Sequence, residues 1–204
     1  ESINKNELSI EGFLSHFEKE GNIDHLKNSL IGKPSQLMAS NPSHRENNIE
    51  RVISQHLLFL YRYIKFYSKM AFSNSKIKSV EEFGMLVTVM QQETITKSEL
   101  IKRNIIDKSA GIEIINRLIK MQLMIQSVNP NDQRSQLIHL TDSGKMELYQ
   151  LFGKMDQLGK IATGELSDTE KIHLAQMLKK LDHFHYENYT DKAKSELEDY
   201  LPQS

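Results

Sequence analysis

From Thr96 to Gly144 the chain reads TKSELIKRNIIDKSAGIEIINRLIKMQLMIQSVNPNDQRSQLIHLTDSG, and the order of signals in that stretch decides the fold. Thr96-Lys-Ser-Glu99 has capping-box spacing: the hydroxyl can accept from the N–H three residues on, while the glutamate reaches back. It opens a short helix over Leu100–Asn104. Asp107-Lys-Ser109 is a further N-cap signal, and Ile112, Ile115, Leu118 and Ile119 then recur at helical spacing. Two short helices joined by a tight turn, the second longer, give helix-turn-helix geometry. Next come two β-prone runs, Leu123-Met-Ile125-Gln-Ser-Val128 and Gln136-Leu-Ile138-His-Leu140. Between them lies the polar, turn-rich Asn129-Pro-Asn-Asp-Gln-Arg-Ser135. That pattern predicts a β-hairpin, which directly after a helix-turn-helix is a wing.

Apolar helices flank this unit. Upstream, Ser79-Val-Glu-Glu82 is another capping box, opening a helix through Phe83, Leu86, Val87 and Met90. From Glu46 to about Ser73, Ile49, Val52, Ile53, His56, Leu57, Leu60, Ile64, Tyr67 and Ala71 form one helical stripe. Leu58, Phe59, Tyr63, Phe66 and Met70 form a second. A helix apolar nearly all round must be covered all round, which predicts contact with a second subunit as well as its own core. Before it, Ile10, Phe13, Leu14 and Phe17 suggest an amphipathic helix broken near Gly21. A short helix over Ile23–Leu30 and a proline-containing linker to Ser43 follow. Downstream, Thr141 caps a long helix carrying Met146, Tyr149, Phe152, Met155 and Leu158 and ending near Gly164. Ser167-Asp-Thr-Glu170 is a third capping box, ahead of Ile172, Ala175, Leu178, Leu181 and Phe184.

The expected class is mainly α: a winged helix-turn-helix lobe with a small hairpin wing, plus a helical dimerisation domain from the N- and C-terminal helices. The expected boundaries are an arm and linker at 1–45, a dimerisation helix at 46–78 and the winged lobe at 79–145. C-terminal dimerisation helices at 146–190 and a polar tail at 191–204, frayed or only loosely packed, follow.

Composition excludes several chemistries. With no cysteine among 204 residues there is no disulfide, zinc ribbon, iron–sulfur cluster or thiol sensing. No two glycines fall at G-x-G spacing, and neither a P-loop nor G-x-S-x-G nor H-E-x-x-H occurs. An enzyme, a cofactor and a metal site are therefore not expected. His183, His185 and Glu187 suggest ligands at first, but residues two apart on a helix face different ways. The longest apolar run, Leu57–Tyr61, is far too short for a membrane span, and no signal-peptide pattern opens the sequence, so a cytoplasmic location without membrane partners is expected.

The net charge of -1 hides an uneven distribution. Residues 94–145 hold eight Lys/Arg against five acids, whereas 146–204 hold seven against eleven. The positive excess therefore sits on the helix-turn-helix and wing, where a phosphate-facing surface needs it.

On these residues the sequence resembles the MarR family of bacterial transcription regulators. The matching pieces are Thr96-Lys-Ser-Glu-Leu100, Asp107-Lys-Ser109, Arg117-Leu118, Asn129-Pro-Asn-Asp-Gln-Arg134 and Leu140-Thr-Asp-Ser-Gly144. The most specific is Asp132-Gln-Arg134 followed by Leu140 to Gly144. The resemblance covers about Phe83 to Leu181. It implies a homodimer on a pseudo-palindromic operator in double-stranded DNA, with a recognition helix from about Lys108 to Met121 in each major groove and a wing toward each minor groove. Lys108, Ser109, Gly111, Glu113, Asn116 and Arg117 would then face DNA from that helix, and Asn131, Asp132, Gln133 and Arg134 from the wing. Lys97 and Ser98 would meet the backbone. Arg134 matches the wing-tip arginine, and physics agrees, since weakly hydrated arginine suits the negative potential of a narrow minor groove. Asp132 would brace the unit through an ion pair or an Asx turn.

Departures from the family pattern matter too. Ile112 and Glu113 stand where a small polar residue and a basic one are usual. Glu113 could accept from cytosine N4, weaken binding, or pair with Arg117 one turn on. Gly111 costs about 1 kcal/mol against alanine in mid-helix, tolerable if the backbone approaches DNA closely. Gln122 replaces the usual glycine before the wing. Family members commonly respond to small molecules, so a small aromatic or phenolic effector walled by His56, Tyr63, Tyr67, Met85 and Met90 is one expectation. The competing one is that these residues only pack the core and dimer interface. Repression of transcription is the leading expectation for function. The alternative is a protein-interaction module on the same fold with weakened DNA binding.

Overall fold

The structure, a computed structural model, describes residues 49–202. The predicted arm and linker before Glu46 lie outside them. Among the described residues, contacts define two units, 53–162 and a second made of 49–52 with 163–202.

In chain order the elements are α1 (Ile49–Ala71), α2 (Val80–Gln92), β1 (Ile95–Thr96), α3 (Lys97–Arg103) and α4 (Lys108–Lys120). Then come β2 (Met124–Val128), β3 (Gln136–Leu140), α5 (Asp142–Thr163) and α6 (Asp168–Thr190), with a 3-10 turn at Leu197–Tyr200. The fold is mainly helical, with one small antiparallel sheet and the architecture of a winged helix.

The core of the first unit draws on both the helices and the sheet. Met85, Leu86, Leu100, Ile115, Leu118, Leu123, Met124, Ile138 and Leu148 are all fully buried in it. Each such side chain contributes about 1.5–3 kcal/mol by leaving water, so the core fixes where α4 and the hairpin sit.

The hairpin forms as the alternation predicts, with Met124 opposite Leu140 and Val128 opposite Gln136. The sheet has a third strand that periodicity could not show: β1, two residues long, pairs with β3 through Ile95 and Ile138 in the order β1-β3-β2.

Of the capping boxes, Ser167–Glu170 forms in full. At the start of α3, Thr96 accepts from Glu99 N, but the Glu99 carboxylate turns to Arg103 at 2.9 Å. Ser79 accepts from Glu82 N, while Glu82 reaches past the cap to Lys78 N. Asp107 stands at the N-cap of α4 and makes no side-chain cap bond.

The tail is mostly exposed but locally ordered. Asp199 accepts from both Ser195 N and Glu196 N at 3.0 Å, and Tyr200 donates to Lys194 O. These bonds close a local turn.

Candidate nucleic-acid interface

The face that α4 presents is set by what it buries. Gly111, Ile115 and Leu118 point into the core, leaving Ser109, Ile112, Glu113, Asn116 and Lys120 exposed along the opposite side. Gly111 is therefore not a residue that lets DNA approach, as its place in the motif suggests. A β-carbon there would stand 2.6 Å from Ile101 Cγ1, so this glycine lets α3 and α4 cross closely. The turn between those helices holds Ile105 at φ +54°, a left-handed conformation that a β-branched residue rarely adopts.

Arg117, expected to face DNA, is half-exposed and engaged within the protein. Its Nε donates to Glu82 Oε1 at 2.5 Å, and Glu82 is only 1% exposed. A buried carboxylate demands a partner, and the arginine supplies it across from α4 to α2. The Glu113–Arg117 pair, one of three possibilities for Glu113, does not form, and the Glu113 carboxylate makes no hydrogen bond or ion pair among the described residues. Nothing in the sequence around Glu82 distinguishes it from an ordinary capping glutamate. Its burial follows from the packing of α2 on α4.

The wing tip is ordered by its own polar side chains. Asn129 Oδ1 accepts from Asn131 N at 3.0 Å, and Asp132 Oδ1 accepts from Arg134 N at 3.0 Å. Asp132 thus closes an Asx turn immediately before Arg134. The carboxylate enters no ion pair among the described residues, and Asn131, Asp132, Gln133 and Arg134 are all exposed. Asn129 Nδ2 donates to Ser135 Oγ at 2.8 Å, tying the two ends of the loop together.

At the base of the wing, Thr141 does more than cap α5. Its hydroxyl accepts from Gly144 N at 2.9 Å and donates to Gln122 O at 2.7 Å, while its own N–H donates to Leu123 O. Gln122 holds φ +58°, the left-handed region in which the family's usual glycine is at ease. Thr141, Gly144 and the Gln122–Leu123 backbone form one joint connecting α4, the wing and α5.

Lys97 is half-buried and Ser98 exposed in the first turn of α3, where helix N–H groups and the dipole favour phosphate. Lys97, Lys108 and Arg134 enter no ion pair among the described residues, so their charges are available to an anion.

The five residues singled out as an effector wall do not meet at one cavity. Tyr63 and Tyr67 join Leu60, Ile64, Ile161 and Ala162 around a cavity of about 170 Å³ between α1 and the end of α5. Met85 is instead fully buried in the core, Met90 packs against that core, and His56 is exposed on α1. Helical periodicity alone cannot separate a core position from a cavity wall. On α6, His183 Nε2 lies 3.4 Å from Glu187 Oε1, both well exposed, at helical i, i+4 spacing.

This geometry agrees with comparison to known proteins. A winged helix DNA-binding domain profile matches residues 81–144. Over 100 residues the chain is 26% identical to the HTH-type transcriptional repressor NicR of Pseudomonas putida, covering 49% of this chain and 63% of NicR. The structure superposes on a point mutant of MarR from E. coli in complex with operator DNA with TM-score 0.58 and 25% identity, covering 63% of this chain and 92% of that one. The chain carries a winged helix DNA-binding domain and is similar to MarR-type transcription regulators. Another protein of the same fold is BpsR of Bordetella bronchiseptica, whose DNA binding is regulated by 6-hydroxynicotinic acid. It aligns with TM-score 0.59 and 22% identity, covering 64% of this chain and 98% of BpsR. The matched region spans 60% and 63% of the curated relatives' lengths. MarR-family proteins are regulators rather than enzymes. No helix among the described residues is long and apolar enough to cross a membrane.

Proposed function

We propose that this protein is a homodimeric, cytoplasmic transcriptional repressor that binds a pseudo-palindromic operator in duplex DNA. In this reading α4 enters the major groove, and Arg134 on the wing tip reaches toward the minor groove. The observation that carries it is the winged unit itself. An exposed α4 and an exposed Asx-turned Arg134 are held in one body by the Thr141–Gly144 joint, with Lys97 and Lys108 free of ion pairs among the described residues.

Dimerisation is supported by α1. Leu58 is 50% exposed, and Tyr63 and Phe66 are each 60% exposed, in a ladder of apolar groups that a lone chain leaves in water. A second copy suits such a face, because two-fold symmetry pairs the patch with itself.

Release by a small aromatic or phenolic effector is supported by the tyrosine-lined cavity. At about 170 Å³ it is close to the volume that houses a single benzene ring in an engineered protein cavity. The regulation of BpsR by a single-ring acid points the same way.

Genomic fragments retained by the purified protein at low salt, sequenced with and without 6-hydroxynicotinate or salicylate, test this reading. Recovery of a discrete palindromic site, including one near the protein's own gene, is the expected result. Retention of no fragment at low salt would overturn it. That outcome would favour a protein-interaction module, the reading that Arg117 engaged by Glu82 and the negative charge of Glu113 also support.

A further inference from the structure

The exposed stripe of α4 is unusual chemistry for a surface that meets a polyanion. In its middle turns it offers Ile112, which is 39% exposed, together with Glu113 and Asn116. Its one helical arginine, Arg117, is taken up by Glu82. Glu113 has no ion pair to neutralise it among the described residues. A carboxylate carried into a groove between phosphates is repelled by them and must shed its water. It is tolerated there only where a hydrogen-bond donor replaces that water.

We infer that Glu113 is a specificity-determining residue that selects cytosine at one position of each operator half-site, accepting from the cytosine N4 amino group in the major groove. This rests on the operator-binding reading above. The choice among bases follows from what a carboxylate can do. It is an acceptor only, so it is repelled by the guanine N7 and O6 acceptors and by thymine O4. Adenine offers a donor at N6 but sets the N7 acceptor beside it, a pattern that suits an amide with one donor and one acceptor. Cytosine presents the donor without an acceptor on the same base edge. Its neighbours on the stripe complete the reading: Asn116 carries the amide that fits adenine, and Ile112 the apolar surface that fits a thymine methyl. The resulting interface gives up affinity for discrimination. With Arg117 paired to Glu82, phosphate contacts fall mainly to the wing and to Lys97 and Lys108, while the centre of the helix rejects wrong bases by unpaired charge.

Selection of bound duplexes from a randomised library, performed with the full chain and with Glu113→Gln, tests this. Because Glu113 is exposed and unpartnered among the described residues, the variant should keep the thermal stability of the parent, which is measured alongside. The wild-type protein is expected to return half-sites with one invariant cytosine at symmetric positions. Glu113→Gln is expected to shift that position alone toward adenine, changing the C-over-A preference by roughly ten- to a hundredfold. It should also raise affinity for unrelated duplex at low salt. Three results would overturn the inference. One is a wild-type site without an invariant cytosine; another is an unchanged preference in Glu113→Gln. The third is a loss of preference spread over every position. Failure of the wild-type chain to bind any duplex would instead remove the operator-binding reading itself, and the inference with it.

Discussion

At Gly144 the start of α5 passes so close to β2 that a β-carbon would stand 2.1 Å from the carbonyl oxygen of Leu123. That oxygen already accepts from Thr141 N, so the backbone on either side is fixed. Gly144→Ala should therefore lower the free energy of unfolding in urea by about 3 kcal/mol, the upper range for overpacking a site that cannot yield. The motif that carries the family resemblance, Leu140 to Gly144, is thus legible in sequence for a structural reason: it is the joint of the wing. Arg117 belongs to the same motif set, and its ion pair is not legible in sequence, because its partner is 35 residues away and is buried only once α2 packs on α4. Arg117→Ala leaves Glu82 buried beside a single backbone donor. With half the arginine exposed and its charge screened, the expected cost is about 2 kcal/mol of stability. DNA affinity per folded molecule should fall less than in Arg134→Ala. If Arg117→Ala kept full stability and lost DNA binding as completely, its role would be contact with DNA after all.

Among the elements, α6 owes its start to a reciprocal cap. Ser167 N and Oγ both donate to Glu170 Oε2 at 2.7 Å, and Ser167 Oγ accepts from Glu170 N. The hydrogen bond from the Ser167 side chain, followed by that from its backbone, holds the Glu170 carboxyl below its ordinary value of 4.5. A depressed acid stabilises the fold above its unfolded value and loses that contribution as pH falls through the folded one. Helicity measured on acidification should therefore begin to drop below about pH 4.5, and Ser167→Ala should remove that part of the pH dependence while weakening α6 at neutral pH. This element is fully legible because its signal is local, four consecutive residues. The hairpin is legible too, through alternation and a turn of Asn, Pro and Asp. Strand β1 is not, since two residues carry no period, and its pairing with β3 is decided by Ile95 entering the core against Ile138. The local turn in the tail is likewise not legible in composition, because it depends on Asp199 finding two backbone donors four and three residues back.

For the whole molecule, mean composition says least and charge distribution says most. A net charge of -1 conceals a basic excess on the winged unit, and the structure uses part of that excess internally, on Glu82 and Glu99. On the winged unit, Lys97, Lys108 and Arg134 stay free of ion pairs among the described residues. The sequence predicts that the apolar ladder on α1 needs cover, and in the single chain that ladder is exposed. Light scattering should therefore give the mass of two chains, and Leu58→Asp, at a half-exposed position, should shift it toward one without unfolding the winged unit. A monomeric wild-type protein at micromolar concentration would contradict the dimer. The central claim, that the wing and α4 hold duplex DNA through phosphate neutralisation and base contact, is tested most directly by a salt titration of operator binding with wild type and Arg134→Ala. A steep linear fall of log affinity with log salt is predicted for the wild type, with the magnitude of the slope reduced by about one for each wing arginine lost. Binding that ignores salt, or a slope and affinity unchanged by Arg134→Ala, would contradict it.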